Sequence, residues 1–109
     1  MTIVYLSNIL YEMNIVPDPL IFEWDLGNID KNLIKHKVTN QEAEEIFINE
    51  SLFTTEDIIH SVKEKRLNAL GQTSNGRKLF LTFTIRNNKI RIISVRDMDR
   101  GERNNYEKI

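Results

Sequence analysis

The sequence contains no cysteine, which removes disulfide frameworks, thiolate zinc sites and cysteine nucleophiles from consideration. Its two histidines, His36 and His60, stand too far apart to suggest a metal site by spacing. Two prolines and four glycines among 109 residues exclude collagen-like and low-complexity linker architectures. No apolar run approaches the roughly 20 residues that span a bilayer. The opening Ile3-Val4-Tyr5-Leu6 lacks the preceding charge and the cleavage site of a secretory signal, so the expected compartment is a reducing cytoplasm. Gly-rich phosphate loops, GxSxG, HExxH and Asp-x-Asp calcium motifs are missing as well. What is left is a metal-independent activity without a cofactor, or a binding module.

What is present suits one soluble domain. Hydrophobic residues make up 40% and charged residues 28%, enough for a single core without covalent staples. The formal charge of −1 conceals an asymmetry. Residues 1 to 59 set three lysines against eleven acids, a balance of −8, whereas residues 60 to 109 set twelve Lys and Arg against five acids, a balance of +7. Gathered on one surface, the second group would meet phosphate; scattered over several faces, it would only solubilise.

Local patterns divide the chain. Leu6, Ile9, Leu10 and Met13 have the spacing of a short amphipathic helix, which Pro17 and Pro19 stop, so residues 1 to 19 read as an extension of helix and linker. Leu20, Phe22 and Trp24 alternate as a first strand of the domain proper, residues 20 to 109. Asp25 is then placed to cap a helix whose face carries Leu26, Ile29, Leu33 and His36. Thr39 and Glu42 have capping-box spacing, with Val38 stapling onto Ala43, Ile46 and Phe47 continuing the apolar face and Asn49 ending the helix. Short strands are expected at Leu52–Thr55, at Arg66–Leu70 closed by Gly71, and at Lys78–Ile85 and Ile90–Arg96 around Asn87-Asn88, with a polar loop from Asp57 to Glu64. Asp99 and Glu102 open a last helix. This order predicts an α+β fold, a small antiparallel sheet with the N-terminal helices on one face and a C-terminal helix.

Metal-free RNA cleavage needs a base for the 2′-hydroxyl, an acid for the leaving oxygen and cations for the phosphate. Arg66, Arg77, Arg91 and Arg96 lie in or beside the strands, where a guanidinium can be held rigidly against phosphate, or where it can simply form an ion pair. His36 ends an apolar stripe, where a histidine more often packs than reacts; His60 sits in the polar loop, where it is freer to titrate and equally free to be incidental. Trp24 would stack on a base or join the core, and Tyr106 beside Arg103 offers an acid, a stacking platform or a helix-to-sheet contact.

An ordered series of segments resembles the BrnT family of toxins from bacterial type II toxin–antitoxin systems. They are Phe22-Glu23-Trp24-Asp25, Asn32 with Lys35-His36 and Val38, Glu42-Ala43, His60-Ser61, Glu64-Lys65-Arg66, Leu70-Gly71 with Gly76-Arg77, Arg91 to Arg96, Glu102-Arg103 and Tyr106-Glu107. The resemblance implies a RelE-like fold and a metal-independent endoribonuclease that blocks translation. It also implies an antitoxin partner with a ribbon-helix-helix DNA-binding domain, through which alone operator DNA is reached, and no membrane association. By this resemblance Arg66, Arg91, Arg96, His36 and Lys35 form the expected catalytic group, and Trp24, Arg77, His60, Arg103 and Tyr106 the RNA-binding group. Where the family usually continues with Pro and Lys after Asp25, this chain has Leu26-Gly27-Asn28, which removes one cation and weakens the helix start. The competing expectation is therefore a catalytically weak homologue that serves as the antitoxin's co-repressor.

Overall fold

The computed structural model describes residues 16–25, 27, 29–49, 52–57 and 63–108. The helix expected before Pro17 lies outside them, as do Leu26 and His60. The elements are β1 (Phe22–Glu23), α1 (Lys31–His36), α2 (Asn40–Ile48), β2 (Phe53–Glu56), β3 (Leu67–Gln72), β4 (Lys78–Arg86), β5 (Lys89–Asp97) and α3 (Arg100–Glu107). They build an α+β fold around one five-stranded sheet of order β1-β5-β4-β3-β2. Among the described residues no helix is long and apolar enough to cross a membrane.

From β2 to β5 every pairing is antiparallel, because short connections join consecutive strands. Asn87 and Asn88 both take positive φ, 51° and 63°, as a two-residue hairpin loop with the native strand twist requires. The sheet as a whole is mixed rather than antiparallel, since β1 runs parallel to β5. No hairpin dictates its direction: two helices and three strands separate it from its partner.

One face of the sheet is apolar and carries α2. Leu67 and Ala69 of β3, Leu79, Leu81 and Phe83 of β4, and Ile90, Ile92 and Val95 of β5 are buried there. Phe47 of α2 sits edge-on between Phe22 and Phe83, with ring centroids 5.6 and 5.0 Å away. The capping box of α2 forms as its spacing predicts: Glu42 N donates to Thr39 Oγ1 (3.0 Å), and Thr39 N donates to Glu42 Oε1 (2.9 Å). Asn49 ends the helix.

Helix α1 departs from its apolar pattern. It starts at Lys31, and Asp25 does not cap it; Asp25 pairs instead with Arg91. Ile29, Leu33 and Ile34 are exposed, and the buried residue is Asn32. The reason lies in β5, which carries a bulge: Ser94 pairs with Thr82 but Ile92 pairs with Phe83, so Ile93 is extra. Asn32 Oδ1 accepts from Val95 N (3.1 Å) and Lys31 Nζ donates to the Ile93 carbonyl (2.8 Å). Polar side chains of α1 thereby satisfy backbone groups of the bulge that lack a strand partner.

Gly71 does not close β3, which runs on to Gln72. A Cβ at Gly71 would lie 2.7 Å from Ile46 Cβ, so glycine is what lets α2 settle onto the sheet. Gly71→Ala is expected to cost about 1–3 kcal/mol by overpacking. Asn32→Leu, which strands the buried Val95 N–H, should cost about 1–3 kcal/mol. Urea unfolding monitored by circular dichroism measures both.

Candidate functional site

The second face of the sheet is polar and basic. Strand alternation and register place Asn68 and Leu70 of β3, Phe80, Thr82 and Thr84 of β4, and Arg91 and Arg96 of β5 on it together. Arg66, one residue before β3, continues the same row by alternation. Arg91 and Arg96 are five residues apart, an odd spacing that would send them to opposite faces of an unbroken strand. The bulge at Ile93 restores them to one face: Arg91 pairs with Thr84 and Arg96 with Phe80.

The face holds two arginine stations. At one end, Arg91 Nη1 meets Glu23 at 3.5 Å and its Nη2 bonds to Asp25. Glu64 accepts from Arg86 Nη2 at 2.9 Å, and this bond, reinforced by the positive charges of Arg86, Arg66 and Arg91, holds its carboxyl below the ordinary range. Thr84, buried in this row, donates to the Lys65 carbonyl at 2.7 Å. The other station is Arg96, four residues of β4 away from Arg91, or roughly 13 Å. The three arginines expected to act together therefore share a face but not a single phosphate.

Arg96 is fixed on three sides. Its Nη1 and Nη2 donate to Glu102 Oε1 and Oε2 at 2.8 and 3.0 Å, Nη1 also reaches the Asp97 carbonyl at 3.1 Å, and its guanidinium stacks 4.3 Å over the Phe80 ring. Glu102 is itself held by the capping box of α3, where its Oε1 accepts from Asp99 N at 2.9 Å. Among the described residues, no protein acceptor takes the parallel Nε–H and outer Nη2–H of Arg96. That edge has the fork geometry of a phosphate. Phe80 and Glu102 were not anticipated as site residues; the capping-box spacing exposed Glu102 only as a cap. Tyr106 lies one turn beyond Glu102 on α3.

Arg77 differs in kind, because all five of its N–H groups point at protein acceptors. Nε and Nη2 bond bidentately to Asp97 at 2.7 and 3.0 Å, Nη1 reaches the Lys37 carbonyl (2.8 Å) and Glu42 (3.2 Å), and Nη2 the His36 carbonyl (3.3 Å). This guanidinium ties the end of α1 and the first turn of α2 to the end of β5, and offers no hydrogen bond to RNA. His36 joins the same cluster through its main-chain carbonyl, which accepts from Arg77 Nη2. Trp24 donates from Nε1 to Glu44 at 2.8 Å and packs against the core, so its indole links β1 to α2. Lys35 is exposed on α1 beside Ile34. Arg103 stands about 100° round α3 from Glu102 and lines a cleft with Arg100 and Asn104.

Arg77 holds the Asp97 carboxyl below its ordinary range by hydrogen bonding, while Glu42 is lowered first by its backbone bond from Thr39 and then by Arg77. Carboxylates with lowered folded-state values stabilise the fold at pH above about 4.5, and that stabilisation is lost as pH falls through the lowered values. Arg77→Ala is expected to cost about 2–3 kcal/mol at neutral pH and to flatten the acid limb of stability against pH. Urea midpoints measured from neutral pH down to acid check both effects.

No curated protein matches the chain. The family described as "Ribonuclease toxin, BrnT, of type II toxin-antitoxin system" matches residues 24–102, a span that takes in β1's exit, both faces of the sheet and the start of α3 through Glu102. With that match extending over well over half its length, the chain belongs to the BrnT family of ribonuclease toxins of type II toxin–antitoxin systems.

Proposed function

We propose that this chain is a metal-independent endoribonuclease acting in the cytoplasm, with the open face of the sheet as its RNA track. The observation that carries the reading is the unoccupied fork of Arg96, held in place by Glu102 and Phe80 before any substrate arrives. In this reading the RNA 2′-hydroxyl gives up its proton to water as its oxygen attacks the adjacent phosphorus, and the 5′-oxygen leaves with a proton from an acid, giving a cyclic phosphate and a 5′-hydroxyl end. Charge grows on the non-bridging oxygens, and a preorganised guanidinium stabilises it there without reorganising. Tyr106, on the same side of α3 as Glu102, is the proposed acid for the leaving oxygen. Arg66 and Arg91, roughly 13 Å along the sheet, would hold a neighbouring phosphate. Loss of cellular RNA then stops translation. A ribbon-helix-helix antitoxin would silence the enzyme by covering this face and its arginines, and would carry the complex to operator DNA.

One observation favours a second reading, that of a weak enzyme retained as a co-repressor: Glu23 and Asp25 already occupy both Nη atoms of Arg91. Incubation of the purified chain with labelled RNA in EDTA separates the two. Cleavage in chelator that stops on adding the antitoxin supports the enzyme; a tight complex with intact RNA supports the co-repressor. Arg96→Ala is expected to lower the cleavage rate by about 10²–10³, with Arg96→Lys failing to restore it because an ammonium cannot reproduce the fork. Full cleavage by Arg96→Ala would remove Arg96 from the site.

A further inference from the structure

One side of α3 lines an open cleft of about 710 Å³ at the end of the sheet, closed on its other side by the β3–β4 turn. Arg100, Arg103, Asn104 and Glu107 fall on this one helical face, opposite Lys78 and Asp97. Both acids are already neutralised within the protein. Arg77 takes the two oxygens of Asp97, and Lys78 bonds to Glu107 at 2.5 Å. Arg100 and Arg103 remain, exposed, one turn apart and without a bonded carboxylate among the described residues.

We infer that this cleft is a second phosphodiester-binding site, which takes the RNA backbone after it has passed round α3 from the Arg96 station. The inference rests on the reading of the sheet face as an RNA track. A helix is about 10–12 Å across with its side chains, so the two stations are several nucleotides apart and only a longer strand engages both. The lining argues for a polyanion rather than a protein partner. Met98 is its one apolar side chain and is buried, so what the cleft presents is polar atoms and the aliphatic stems of charged side chains. Two guanidinium groups spaced by one helical turn, beside the Asn104 amide, instead suit successive phosphates.

The test is fluorescence anisotropy with the full chain and labelled RNA carrying 2′-O-methyl groups, which blocks cleavage, at several salt concentrations. Two probes are used: a trinucleotide too short to pass round α3, and a longer strand containing it. The double variant Arg100→Ala, Arg103→Ala should bind the longer strand at least tenfold more weakly, with the slope of log affinity against log salt reduced by about 1.4, the value for two lost phosphate contacts on single-stranded RNA. Its affinity for the trinucleotide should equal that of the wild type. Asn104→Glu, which adds a carboxylate to the cleft and removes no cation, should reproduce the loss. Circular dichroism establishes that each variant is folded. Unchanged affinity and slope on the longer strand would overturn the site, as would an equal loss on both probes. A loss of antitoxin binding with RNA binding intact would reassign the cleft to the protein partner and overturn the proposal. Failure of the wild type to bind either probe would instead reject the RNA track itself, and the cleft with it.

Discussion

One extra residue in β5 governs the geometry of the basic face. Ile93 breaks the two-residue repeat of the strand, and without that break Arg91 and Arg96 would emerge on opposite sides of the sheet. A bulge leaves backbone groups without strand partners, and β1, only two residues long, does not extend far enough to satisfy them. Asn32 and Lys31 do so from α1. A short helix beside β5 thus satisfies main-chain groups where the repeat of the strand breaks, through two side-chain hydrogen bonds.

The arginines of that basic half are chemically alike and structurally unlike. Five bonded N–H groups make Arg77 a brace, whereas three bonded N–H groups and a ring beneath make Arg96 a fixed but unsatisfied donor. A guanidinium has a fixed number of directed donors. How many of them the protein consumes separates a structural arginine from one presented to a ligand, and net charge along the sequence does not reveal that number.

Much of this fold could be read from residues alone where a local rule governs. The capping boxes at Thr39/Glu42 and Asp99/Glu102, the β4–β5 hairpin at Asn87-Asn88 and the alternating apolar residues of β4 are cases in which the deciding contacts lie within a few residues. Helix α1 could not be read that way. Leu26, Ile29, Leu33 and His36 have a helical period, yet the face that packs is set by Asn32 and by a bulge sixty residues away. Gly71 looked like a stop because glycine weakens strands, while its role is the close approach of Ile46. For the site, strand assignment located Arg66, Arg91 and Arg96 near the sheet, but the odd spacing of the last two hid their common face. The consumption of Arg77 and the turning of Trp24 toward Glu44 are both tertiary outcomes.

Helix α3 has no buried residue. The Arg96–Glu102 and Lys78–Glu107 ion pairs tie it to the sheet, and half-exposed pairs of this kind contribute little individually. The helix therefore belongs to the part of the molecule whose local opening requires least free energy, while the Phe47–Phe83 core beneath the other face belongs to the part that opens only with global unfolding. A macromolecule that offered Arg96 a better acceptor than Glu102 would displace α3 from its seat without disturbing the sheet, exchanging one partner for another on a scaffold that does not move.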